Sequence, residues 1–214
     1  MVISCTQLRP LTLFTIQDFL PRLKDHLLAR ILGHDYDSDD EPFSEHDRSI
    51  KFVKHQVYQH KVLCINYTTQ DGWHEQDSLN PHTHANVIVL MHEGPESHPY
   101  WYARIIGIYH VLVIYPSSVD PIHMNFLWVL WYGSNSNPRY KSGWKVKRLP
   151  RVGFVDDRND SSPTFSFLDP MHVIQGVHLI PAFNDGLTSD ILEPSLAHLP
   201  HEGDFDYCFY YLNM

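Results

Sequence analysis

Chemistry-bearing side chains are densest between Trp73 and His84, in the segment WHEQDSLNPHTH. His82 and His84 form an HxH pair, which on a strand of period two would turn both imidazoles to one face. Many β-barrel metal sites begin this way. His74, Glu75, Asp77 and His98 are the candidates to complete a divalent-cation site here. A cupin-type set places a Glu four or five residues after the second His, where this chain has Ile88 and Val89; the nearest acid, Glu93, comes nine residues after. His74-Glu75 opens like HExxH, but the fifth residue is Ser78. The metal expectation is therefore His82, His84 and His74, against the plainer reading of a polar loop with surface histidines.

Two strands carry paired aromatics. Period two places Tyr100 and Tyr102 opposite Trp101, and Trp128 and Tyr132 opposite Trp131. Both faces cannot belong to one core, so either a helix covers the second face or some of these rings line a groove. A groove of Tyr100, Tyr102, Trp128 and Tyr132 would suit a methylammonium group through cation–π contact. The plainer reading is large side chains filling a small barrel.

Other motifs are weaker. Asp35, Asp37 and Asp39 stand at positions one, three and five of a calcium-type loop, but position six is Asp40 and position twelve is His46. There is no GxSxG, SxxK or GxxxxGK. Cys64 alternates with Val62 and Asn66 in an apolar strand and reads as a core thiol. No cofactor is implied beyond the divalent metal those histidines could take.

Charge is uneven along the 214 residues. The segment His34 to Asp47 holds seven acids and no Lys or Arg, so it supplies most of the net charge of −9. No acid occurs between Asp120 and Asp156, where Arg139, Lys141, Lys145, Lys147, Arg148 and Arg151 lie. That basic segment could meet a phosphate backbone or pair with the acidic loop in cis. The sixteen histidines make the net charge sensitive to mild acid. Three widely spaced cysteines read as reduced thiols, and no apolar run is long enough for a bilayer, so an intracellular protein, nuclear or cytoplasmic, is expected.

These groups need elements to position them. Phe19, Leu20, Leu23, Leu27, Leu28 and Ile31 predict one amphipathic helix, roughly Pro21 to Leu32, stopped by Gly33. After Asp47 the period becomes two, and KVLCINYTT, NVIVLM, YWYARIIGIYHVLVIY, FLWVLWYG, GVHLIPAF and DYCFYYLN predict six strands. Asp169-Pro170 predicts a short helical turn. The expected fold is mainly β (α+β), a curled sheet or partly open barrel. Its expected organisation is a helix segment over 1–33 packing on the barrel, an acidic linker over 34–48 and a β-rich domain over 49–214.

Several strings, in order, resemble a known group. FLPRLKDHLLARIL, INYTTQDGWHEQDSLNPHTHANVIVL, HPYWYARIIGIYHV, FLWVLWYG and FSFLDPMHVIQGVHLIPAF are similar to the C-terminal region of uncharacterised basidiomycete proteins associated with Kyakuja–Dileera–Zisupton transposons. The resemblance covers roughly Leu11 to Asn213 and implies a fungal source and a link to mobile elements, with no activity attached. That group usually reads NPRTH where this chain has Asn80-Pro81-His82-Thr83-His84, so the HxH pair is this chain's own. More loosely, PYWYARIIGI, FLWVLWYG and FLDPMHVIQGVHLI are similar in order to the strand pair and closing turn–strand of bromo-adjacent homology domains. That analogy implies a non-catalytic module binding a protein segment or histone tail. The alternative is a metal-dependent enzyme centred on His82 and His84; no membrane partner is expected.

Overall fold

Apolar spacing fixes the first long element. In α1 (Phe19–Leu32), Phe19, Leu23, Leu27 and Leu28 fall on one stripe and are buried. Gly33 ends it at φ 72°, its N–H bonding Arg30 O at 3.3 Å while His34 N–H bonds Ala29 O at 2.9 Å. This is the double hydrogen-bonded cap that a left-handed glycine permits. The structure, a computed structural model, describes residues 2–5, 19–34, 43, 50–68, 71–90, 100–116, 118, 120–134, 147–154, 165–188 and 206–213. Of the acidic linker, only His34 and Phe43 fall within these, and Phe43 packs against the core beneath α1.

The strands are β1 (Val2–Cys5), β2 (Lys51–Thr68), β3 (His74–Leu79), β4 (Asn86–Leu90), β5 (Tyr100–Ile114), β6 (Ile122–Ser134), β7 (Arg151–Phe154), β8 (Phe165–Leu168), β9 (Val173–Gly176), β10 (His178–Pro181), β11 (Leu187–Thr188), β12 (Asp206–Tyr207) and β13 (Tyr210–Asn213). Eleven form one sheet with the path β1-β2-β5-β6-β7-β13-β10; β11 and β12 pair separately. The long strands β5 and β6 make the sheet branch. On β5, β4 takes Tyr100–Arg104 and β2 takes Ile108–Ile114; on β6, β8 takes Leu127–Leu130 and β7 takes Tyr132–Ser134. Branching on a right-twisted sheet curls it, and Gly176 N–H donates to Asp77 Oδ2 at 2.7 Å, tying β9 back to β3. The result is mainly β: a large, open, curled sheet with one N-terminal helix, as the periodicities predict. No helix among the described residues is long and apolar enough to cross a membrane.

Both faces of β5 and β6 are buried. On one, α1 covers Tyr109, Val111, Phe126 and Trp128, and farther along β7, β10 and β13 cover Tyr102, Leu130 and Tyr132. The other face lines the barrel interior with Ala103, Ile105, Leu127, Val129 and Trp131. The Asp169-Pro170 turn forms as expected, Asp169 Oδ1 accepting from Met171 N–H at 2.9 Å.

Three sequence expectations need correction. HEQDSL is strand β3 rather than polar loop, because main-chain pairing with β2 asks nothing of its exposed side chains. β2 begins at Lys51, ten residues before the apolar run that marks it. A bulge between Phe52 and Val57 breaks its alternation, and Lys54 and His55 take φ of 54° and 53° there. GVHLIPAF is not one strand: Gly176 ends β9 on β4, and His178 starts β10 on β13.

Candidate functional site

The four groove candidates do not converge on solvent. Trp128 has no exposed surface; it packs against Phe19 and Phe167 with ring centroids 5.0 and 4.7 Å away. Tyr102 and Tyr132 are cross-strand partners, both buried, and Tyr132 stacks on Phe154 at 4.8 Å. Tyr100 alone stays at the surface, paired across the strands with Leu90; each is about 40% exposed. The covering helix, one of the two arrangements open from the sequence, accounts for Trp128.

Tyr132 belongs to a buried polar cluster. Its hydroxyl accepts from Arg104 Nε at 3.1 Å and donates to Asn86 Oδ1 at 2.9 Å. Arg104 Nη1 bonds Asp206 Oδ1 at 2.9 Å, and Tyr210 Oη donates to the same oxygen at 3.3 Å. The guanidinium also lies 5.0 Å from the Phe154 ring centre. Burial alone would weaken the Arg104 charge, but Tyr132, Asp206 and Tyr210 outweigh it and raise its pKa. Burial likewise raises the Tyr132 phenol against the opposing pull of Arg104. Every polar atom named here is spent on its neighbours, so the cluster clamps β4, β5, β6, β12 and β13 together.

The metal candidates spread out. His82 and His84 lie in the turn after β3, not on a strand, so period two does not align them. Asn80 Oδ1 accepts from His82 N–H at 2.9 Å, and Asn80 N–H bonds His84 O at 3.0 Å, closing a tight loop. His84 turns in against Gly176, where a Cβ would meet its ring at 2.7 Å. His74 approaches Thr68 Oγ1 at 3.4 Å, Glu75 accepts from Tyr67 Oη at 2.9 Å, and Asp77 holds Gly176. His98 lies outside the described residues. Among the described residues no three His, Cys, Asp or Glu side chains form a group able to hold a metal ion.

Of the basic segment, Arg139, Lys141 and Lys145 lie outside the described residues. Lys147 and Arg148 are exposed. Arg151 is committed: Nη1 meets Asp185 Oδ2 at 2.7 Å, and its guanidinium covers the Phe209 ring at 4.2 Å.

Two polar groupings have no local signature in the sequence. Under α1, Arg30 Nε pairs with Asp169 Oδ2 at 2.6 Å and Nη1 reaches Asn125 O at 2.6 Å, while Arg22 reaches Phe165 O at 2.9 Å. Between these arginines His26 is buried beside Phe167, and burial first, then Arg30 and His172, push its pKa down to about 3. The second grouping is a stack of rings from three strands: Tyr58 and His60 on β2, His110 on β5 and His123 on β6. His60 and His110 stand fifty residues apart in sequence, and only the strand register joins them.

An apolar surface lies at the separate β11–β12 pair. The single turn Phe183–Asp185, closed by Asp185 N–H on Ala182 O at 2.9 Å, leaves Phe183 69% exposed. Its ring stands edge-on to Tyr207 at 5.3 Å, and Tyr207 pairs with Leu187, itself 54% exposed. No protein-family model, no curated protein and no solved structure matches the chain.

Proposed function

We propose that this chain is a non-catalytic protein-interaction module of the chromatin-binding kind, derived from a transposon-associated fungal protein. It takes a basic, extended segment such as a histone tail. The observation that carries this reading is the Phe183–Leu187–Tyr207 surface. Two large exposed apolar side chains meet at Tyr207, Phe183 edge-on to its ring and Leu187 opposite it across the strands, beside a turn fixed by Arg151–Asp185 and by Cys208 N–H bonding Gly186 O at 3.1 Å. Covering each would be worth about 1.5–3 kcal/mol, the usual gain for an aromatic or leucine anchor. The net charge of −9 favours a cationic partner and speeds its encounter. The transposon link rests on the strings from FLPRLKDHLLARIL to FSFLDPMHVIQGVHLIPAF.

Fluorescence anisotropy with a panel of labelled histone-tail peptides, lysine-methylated and unmodified, tests the proposal. Saturable binding should appear, and Phe183→Ser with Leu187→Ser should weaken it at least about tenfold while leaving circular dichroism unchanged. No saturable binding up to about 1 mM peptide would sink it. So would binding indifferent to the two substitutions, or tighter binding to random duplex DNA.

A further inference from the structure

The ring stack on β2, β5 and β6 is built by register. Tyr58 faces His110 directly across the β2–β5 ladder, with rings parallel to within 5° and centroids 4.6 Å apart. His60, opposite Ile108, brings its ring 4.8 Å from His110, and its Nε2 lies 2.6 Å from His110 Nδ1. His123, opposite Leu112 on β6, stacks on the remaining side of His110 at 4.4 Å. His110 therefore touches an aromatic ring in three directions. His60 is buried, His110 half-buried and His123 exposed, so the stack runs from the interior to the surface.

The ladder beneath it is short. Beyond the bulge, which separates it from the pairs at Lys51 and Phe52, β2 pairs with β5 from Val57 to His60, up to the point where β2 leaves β5 for β3. Four residues of pairing hold that stretch, and three of the rings in the stack stand on it or directly against it.

We propose that Tyr58, His60, His110 and His123 form a proton-operated latch, which fastens β2 to β5 while its imidazoles are neutral and loosens that pairing when they take up protons. A neutral imidazole offers one N–H donor and one acceptor nitrogen. The short contact between His60 and His110 has room for one proton, which one of the neutral rings already supplies. A proton added at the contact turns N–H against N–H and makes one ring a cation. A further one sets two cations face to face, with His123 stacked on the open side. Among the described residues the facing groups offer no carboxylate. From β2 they are the Tyr58 phenol and His60; from β6, His123 and the neutral Asn125; on β5 itself, the apolar Ile108 and Leu112 flank His110. The sequence of β1, which pairs with β2 from His60 onward, contains no carboxylate or cation. On the far face Arg30 is committed to Asp169 and to the Asn125 main chain.

The charge environment agrees with the geometry. Burial first, then His123 and His60, hold the His110 pKa down to about 4, with no carboxylate among the causes. The unfolded chain therefore binds the proton more readily than the folded one. The His110 contribution to stability is complete above the ordinary histidine value of about 6.5 and is lost as pH falls from there toward about 4.

Hydrogen exchange of the whole chain, in chelator-treated buffer at about pH 7.5 and about pH 5 and corrected for intrinsic rates, reads the latch directly. Protection of residues 57–60 and 108–111 should drop at least about fivefold on acidification, while that of the β5–β6 pair around Val129 holds. His110→Phe keeps a ring in the stack without a titrating group and should abolish the drop. An unchanged drop in that variant would overturn the latch. Should His110→Phe fail to fold, the ring-proton titration of His110 decides. It should fall below the ordinary value in the native chain and move upward in His123→Asn, which removes one neighbouring positive charge. A native His110 titrating at the ordinary value, or one indifferent to His123→Asn, would also overturn it. Acid opening confined to α1, with the protection of residues 57–60 and 108–111 unchanged, would also overturn the proposal.

Discussion

Arg104 on β5 and Asp206 on β12 lie 2.9 Å apart across 102 residues of sequence, and both are removed from water. Removing one partner would leave the other charge buried without its counter-charge. Asp206→Ala should cost about 3–5 kcal/mol in urea unfolding, whereas Arg104→Leu with Asp206→Leu should cost clearly less than the sum of the two single changes. Additive costs in that double-mutant cycle would show that the pair contributes no coupling.

Trp128 carries the helix interface. Phe19 and Phe167 close on its ring, and its indole N–H meets no acceptor among the described residues. Trp128→Ala should therefore cost about 3–5 kcal/mol and flatten the near-ultraviolet dichroism. Trp128→Phe should cost much less, since it keeps most of the packing and deletes the unsatisfied donor. Equal costs for both would contradict this account.

His26 gives the helix side its own acid response. Burial, Arg30 and His172 hold its pKa at about 3, below the value in an unfolded chain, so its contribution is present above about 6.5 and lost as pH falls from there toward about 3. Over that window one proton's linkage is about 1.4 kcal/mol per pH unit. His26→Leu should remove about that slope from a plot of unfolding free energy against pH down to about pH 3, while His110→Phe should remove a separate slope that ends near pH 4.

Gly176 exists to admit a ring. A methyl there would strike the His84 imidazole at 2.7 Å and Leu79 at 3.1 Å. Gly176→Ala should cost about 1–3 kcal/mol by thermal unfolding. Adding His84→Ala should return part of that loss. Failure of the second change to help would move the strain to Leu79.

Much of the scaffold could be read directly. The stripe from Phe19 to Leu28 and the stop at Gly33 define α1 within two residues of the predicted start. The runs YWYARIIGIYHVLVIY and FLWVLWYG mark β5 and β6, and Asp169-Pro170 marks its turn. Local pattern failed where local pattern does not decide. β3 is polar because an exposed strand needs only its main chain to pair, and β2 hides its first half behind a bulge that shifts the alternation.

The candidate sites were legible as residues rather than as places. Spacing alone joined His82 to His84, yet the tight turn at Asn80 separates their roles, one exposed and one lodged on Gly176. Period two correctly put Trp128 and Tyr132 on one face of β6. It could not tell that α1 covers the first and β7 and β13 the second.

The sequence by itself therefore determined what short-range periodicity and backbone sterics control: the helix, its glycine stop, the long aromatic strands, and a charge concentrated in one acidic segment. Only the tertiary structure decided which distant side chains meet. The register of β2, β5 and β6 brings His60, His110 and His123 together, and the curl of the sheet closes Asp206 onto Arg104. The physical reason is that pairing register and curl are settled by the summed burial of both sheet faces. No single segment of the chain encodes that sum.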